Sequence, residues 1–205
     1  MTLTATLARI DELQGLLAPQ PVVQTGGAAA PAAFASALQA AAPASTASLA
    51  SLTPATGGTS AGRAALAAAQ AEVGQAEQPP GSNDSPRIAQ YRNATAGSGV
   101  GPWCAYFVSW AARQAGAPLG DSGQGFGRVD DVWSWAERSG KANPASSGQP
   151  PQPGDLIVWD EHIGIVESVD ADGSIHTVEG NSSDRVSRRT YGSDGGGAVG
   201  YVRLG

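Results

Sequence analysis

PQPGDLIVWDEHIGIVESVDADGSIHTVEG, residues 151–180, decides the fold class. Apolar and polar residues alternate through DLIVW, HIGIVESV and SIHTVEG, the period-two signature of strands. DADG at 170–173 separates the last two and reads as a hairpin turn. VSRRTY and AVGYVRL, further along, read as two more strands. Upstream the period changes to that of helices. RAALAAAQAEVGQAEQ reads as a helix ended by PPGSN, and PRIAQYRNAT as a short second one. CAYFVSWAARQAGA is a third, with Phe107, Trp110, Ala111 and Ala115 along one face and Gly116 as its stop. VDDVWSWAERSG is a fourth. Helices first and strands second predict an α+β domain over residues 63–205, its helices packed on a small antiparallel sheet.

The first 62 residues have a different character. Leu3, Leu7, Ile10, Leu13 and Leu17 recur at helical steps, which predicts a short amphipathic helix over residues 1–18, stopped near Pro19. So short a helix is not stable alone, and it fits either a fraying terminus or a segment that docks on a protein partner. From Leu13 to Gly62 there is no charged residue. Ala, Ser, Thr, Pro and Gly dominate residues 19–62, which predicts a disordered, flexible linker, because little apolar surface is available to offset the ordering entropy.

Composition excludes several functions. The net charge of −6 and pI near 4.8 disfavour nucleic acid as a partner. No apolar run approaches a membrane span. The first 20 residues lack the basic start and uninterrupted apolar centre of a secretory signal, so the sequence reads as a protein made soluble in the cytoplasm. A single cysteine rules out a disulfide framework, and one Cys with two separated His makes no zinc site.

That cysteine, Cys104, lies in GPWCAYFVSW, residues 101–110, at the start of the third helix. A thiol there meets unpaired N–H groups and the positive end of the helix dipole, both of which favour the thiolate. Position alone also fits a small buried apolar residue. A nucleophile needs a base, and there are two histidines. His162 begins a strand and can project over the end of the sheet. His176 lies mid-strand and reads as solvent-facing. A base needs an orienting acceptor, and Glu179 and Asn181, in VEGN, follow across the hairpin from His162. Trp103 fits either a cleft wall or packing at the helix start. Asn83 and Ser82 are candidate second donors to an oxyanion, beside the N–H of Cys104 itself. Arg185, Arg188 and Arg189 read as a charged edge strand.

WCAYFVSW, PQPGDLIVWDEHIGIVESVD and IHTVEGNSS, in this order and spacing, resemble the CHAP family, the cysteine- and histidine-dependent amidohydrolases and peptidases. The resemblance covers roughly residues 65–204. It implies a papain-like fold and hydrolysis of an amide bond in peptidoglycan, as amidase or endopeptidase, with peptidoglycan as partner and no cofactor. It puts the nucleophile at Cys104, the base at His162, and the family's Glu and Asn at Glu179 and Asn181. Some members bind calcium through an acidic loop before the cysteine. Only Asn83 and Asp84 stand there, so no metal is carried over. The N-terminal section resembles components exported with bacterial flagella, which implies work at the cell wall by a route without a secretory signal. A phage or prophage lysin, and a wall-binding or docking protein that uses the domain only to bind, are the alternatives.

Overall fold

The computed structural model describes residues 57–205. The expected helix over 1–18 and nearly all of the expected linker lie outside them. Four helices come first: α1 (Ser60–Gln70), α2 (Pro86–Arg92), α3 (Cys104–Gln114) and α4 (Val129–Arg138). Six strands follow: β1 (Ala142–Pro144), β2 (Leu156–Val158), β3 (Ile163–Val169), β4 (Ile175–Glu179), β5 (Ser187–Tyr191) and β6 (Gly200–Val202). They form one sheet in the order β1-β6-β2-β3-β4-β5, antiparallel throughout. The fold is the α+β arrangement that the sequence predicts.

Both faces of the sheet are covered. On one face Leu156, Val158, Ile163, Ile165, Val178 and Val202 pack under the helices. On the other, Ile157, Val166, Ile175 and Tyr201 pack with Ala198 of the segment between β5 and β6. This explains why β2 is buried at every position and does not alternate as an open strand would.

α3 lies at the centre, in contact with α1, α2, α4 and β3. Every residue from Cys104 to Ala112 is buried, so its expected single apolar face is wrapped on all sides. Tyr91 of α2 supplies much of that wrapping. It meets Trp103, Phe107 and Trp110 at centroid distances of 5.8, 5.3 and 5.0 Å, within the range of favourable aromatic pairs.

α1 is shorter than its sequence suggests. Beyond Gln70 the chain turns, and Glu72 swings inward to pair with Arg87 and accept from Tyr91 Oη at 2.6 Å. Gly74, at φ 96°, adopts the left-handed conformation that ends the helical run. Residues 74–77 then run beside 184–186 through bonds such as Gly74 N to Val186 O at 2.9 Å. β1 is not signalled by its sequence, ANP, and exists because it pairs with β6.

The start of α1 is clamped to the rest of the domain. Thr59 Oγ1 accepts from Gly62 N as the N-cap and donates to Leu204 O. Gly62 faces Gly154, at φ 88°, so closely that a Cβ on Gly154 would lie 2.2 Å from the Gly62 carbonyl carbon. Gly154→Ala combines a left-handed backbone with a backbone clash. It is expected to cost about 3 kcal/mol and lower the Tm by roughly 10 °C. Thermal unfolding followed by circular dichroism checks this, and an unchanged Tm would contradict the close approach.

Candidate active site

The site is assembled where the N-terminus of α3 meets the start of β3 and the end of β4. Thr59 and Ser85 cap α1 and α2 through their side chains, whereas α3 has Trp103 at its N-cap and no side-chain cap. The first-turn N–H groups of α3, including that of Cys104, are therefore not consumed by capping. Phe107 N already returns to Trp103 O at 2.9 Å, so the unpaired donors are those ahead of it.

Trp103 does not form a wall of the cleft. It is 0% exposed, stacks on Tyr91 and donates from Nε1 to Glu77 Oε1 at 2.9 Å. Packing at the helix start is its role, and the reading of it as a substrate-binding residue is corrected. Glu77 is itself buried, and its other oxygen accepts from Asn83 N at 2.8 Å. One carboxylate thus ties the loop carrying Asn83 to the residue before the cysteine. The backbone N–H of Asn83 is spent on this contact, and Ser82 Oγ donates to Asp84 O. These contacts occupy the Asn83 backbone and the Ser82 hydroxyl and do not involve the side-chain amide of Asn83.

Cys104 is 5% exposed and lies in a groove of about 460 Å³. Pro102, Tyr106, Gly127, Asp130, Asp160 and Glu161 line it with Cys104. His162 follows the exposed Asp160–Glu161 turn, directly before β3. Its ring stacks on Trp159 at 5.6 Å and 28°, and Trp159 is fixed in turn by Nε1 donating to Gly195 O at 2.8 Å. His162 Nε2 is 2.8 Å from Glu179 Oε2. The Cys104 thiol is near enough to the imidazole to help raise its pKa. Because Nε2 is taken by the carboxylate, Nδ1 is the nitrogen left for sulfur.

Glu179 is 1% exposed and fully occupied. Its Oε1 accepts from Thr177 Oγ1 at 2.5 Å and from Tyr191 Oη at 2.9 Å. Burial pushes its pKa up, but the bonds from His162, Thr177 and Tyr191 outweigh that, and the carboxyl is held below its ordinary value. Burial likewise opposes the imidazolium of His162. The neighbouring Cys104 and the bond to Glu179 more than offset this and push its pKa up to about 9. The site brings thiol, imidazole and buried carboxylate together in that order.

Asn181 behaves differently from Glu179. It is half-buried in the turn after β4, at φ 57°, and no hydrogen bond joins it to His162. His176, on the same strand, bonds Asp170 and Thr190, away from the relay. Arg188 pairs with Glu167, and Arg189 donates to Ser182 and Ser183. Sequence reasoning missed Glu77, Thr177 and Tyr191. Thr177 carried a signal, since it shares a strand face with Glu179. Glu77 and Tyr191 carried none.

Residues 95–181, a span that contains Cys104, His162, Glu179 and Asn181, match the family described as CHAP domain. The matched residues resemble a CHAP domain. Among solved structures, an N-acetylmuramoyl-L-alanine amidase from Staphylococcus aureus is similar, with 20% identity and a TM-score of 0.40, over 52% of this chain and 31% of that one. The chain thus spans about a third of that amidase's length. No curated protein matches. The CHAP match ends at Asn181, so Tyr191, which holds Glu179, lies outside it, as does Glu77. Among the described residues no helix is long and apolar enough to cross a membrane.

Proposed function

We propose that this CHAP-like domain hydrolyses an amide bond in the peptide part of peptidoglycan, with Cys104 as nucleophile, His162 as acid–base and Glu179 as its orienting carboxylate. The observation that carries the reading is the His162 Nε2–Glu179 Oε2 bond of 2.8 Å on an imidazole whose pKa the neighbouring Cys104 helps to raise, with Cys104 lining an open groove. The Cys104 thiolate attacks the amide carbonyl and forms an S–C bond. Negative charge collects on the carbonyl oxygen, which the N–H of Cys104 stabilises at the uncapped end of α3. The imidazolium of His162 then protonates the leaving nitrogen as the C–N bond breaks. Water, deprotonated by the neutral imidazole, hydrolyses the thioester and restores the thiol. Asn181, in the turn after β4, is assigned no proton transfer. On this reading the protein works at the cell wall, outside the cytoplasm, and residues 1–18 are free to dock on a protein partner there.

Digestion of purified peptidoglycan by the full chain, with released fragments read by mass spectrometry, tests the proposal. Fragments with new amino termini are expected, and their masses name the bond. Binding to the wall without any release would reject hydrolysis.

The pH dependence has a definite sign. The His162 pKa of about 9 lies above that of a free imidazole, about 6.5. The protonated form that serves the leaving amine therefore persists at neutral pH, and kcat/KM is expected to fall as pH rises through about 9. The same pair contributes stability that is fully present below about pH 6.5 and is lost as pH rises through about 9. Rate and Tm measured across this range check both statements. An alkaline limb already complete by about pH 7 would contradict them.

A further inference from the structure

Gly164 stands between His162 and Ile165 on β3, in the middle of a buried strand. Glycine weakens a strand interior, and its presence there marks a close approach. The approach is made by Glu179. The register pairs Ile165 with Val178, so Gly164 lies opposite Glu179 one step further along. His162 is two residues before Gly164 and hence on the same face, diagonal to Glu179 across the pair. To reach the imidazole, the Glu179 side chain has to cross over residue 164. A Cβ at Gly164 would lie 2.7 Å from Glu179 Cγ and 3.6 Å from its Cδ, and the next neighbour, Val178 O, would be 3.4 Å away. Contacts under 3 Å force something to move.

The carboxylate has little freedom to make that movement harmless. Thr177 and Tyr191 hold Oε1, and Glu179 is 1% exposed. Tyr191 is held as well, against Trp159 at 4.9 Å, which stacks on the other side of the relay against His162. A side chain at 164 therefore pushes Glu179 off His162 and not into free space.

We propose that Gly164 is a positioning residue: its missing side chain is the passage through which Glu179 reaches His162. The role acts through Glu179 and touches no substrate. Its kinetic arm rests on the cysteine-hydrolase reading given above, and its chemical arm does not. No backbone requirement explains the glycine, because its φ is outside the left-handed region.

The chemical arm uses the full chain and one reagent. Cys104 is the only thiol, so iodoacetamide alkylation read by intact-mass spectrometry reports the relay alone. Alkylation rates are measured against pH for wild type, Gly164→Ala, Glu179→Gln and the double variant. Gly164→Ala is expected to move the alkaline inflection about one pH unit lower. The double variant is expected to match Glu179→Gln alone, since residue 164 then has nothing left to position. On peptidoglycan, Gly164→Ala is expected to lower kcat about 10- to 100-fold with KM unchanged. An inflection that Gly164→Ala leaves in place, or two shifts that simply add, overturns the proposal. If Gly164→Ala does not fold, Gly164→Ala/Glu179→Ala decides. Removing the Glu179 side chain removes the clash, so recovered folding supports the proposal and continued misfolding overturns it. A wild type that releases no wall fragments, with the inflection still moved by Gly164→Ala, rejects the hydrolase reading and leaves the positioning role standing.

Discussion

Cys104→Ala is expected to release no fragment from peptidoglycan, a loss of at least about 10⁴-fold, while keeping the fold. On the proposed mechanism the sulfur forms the acyl intermediate, and among the described residues no second thiol can take its place. The structural cost is small. Alanine keeps the helix start, and loss of one buried sulfur costs about 1 kcal/mol. His162 keeps its bond to Glu179. Tm and wall binding should therefore stay near wild type, and this separates lost chemistry from lost structure. Wild-type release of fragments by Cys104→Ala would sink the mechanism.

Glu179→Gln is expected to lower kcat about 10³- to 10⁴-fold. The change keeps size but reverses hydrogen-bond logic. Thr177 and Tyr191 both donate to the same oxygen, so the carbonyl of Gln must stay with them. Its NH₂ group then faces His162 Nε2. Two donors cannot share that contact, so Nε2 must become the acceptor and the proton must sit on Nδ1, the nitrogen facing sulfur. Such an imidazole cannot accept the thiol proton. The pKa of His162 also falls from about 9, because the carboxylate no longer supports the charge. NMR titration of the imidazole protons reads the pKa, and the same digestion reads the rate. An unchanged kcat would remove Glu179 from the mechanism.

Much of this fold could be read from residue order, for identifiable reasons. β3 and β4 carry their own alternation, and the DADG turn fixes their register, with Gly173 N closing on Asp170 O at 2.9 Å. That hairpin brings Glu179 next to His162, so the pairing was visible from local signals. The start of α3 was visible too, because Gly101-Pro102 precedes an apolar run. What escaped was everything set by distant pairing. β1 has no strand pattern of its own. α1 stops early because Glu72 finds Arg87 and Tyr91, which no periodicity could show. Trp103 beside the nucleophile invited a surface role, and only its contact with buried Glu77 reveals it as internal. Tyr191 is one of several polar residues on an edge strand, and its importance arises from the address of its hydroxyl.

The sheet order β1-β6-β2 has a consequence for how the protein comes into being. β6, the latest of the described strands, fills an interior slot and bonds both neighbours. Until residues 200–202 leave the ribosome, β1 and β2 each present an open edge, and α1, made well before them, still lacks Leu204, the partner of Thr59 145 residues away. The domain cannot be completed piecemeal during synthesis. A nascent or truncated chain would carry two unpaired edges and a half-covered core, the state in which strands seek partners on other molecules. Assembly waits on the last strand, and so does protection from aggregation.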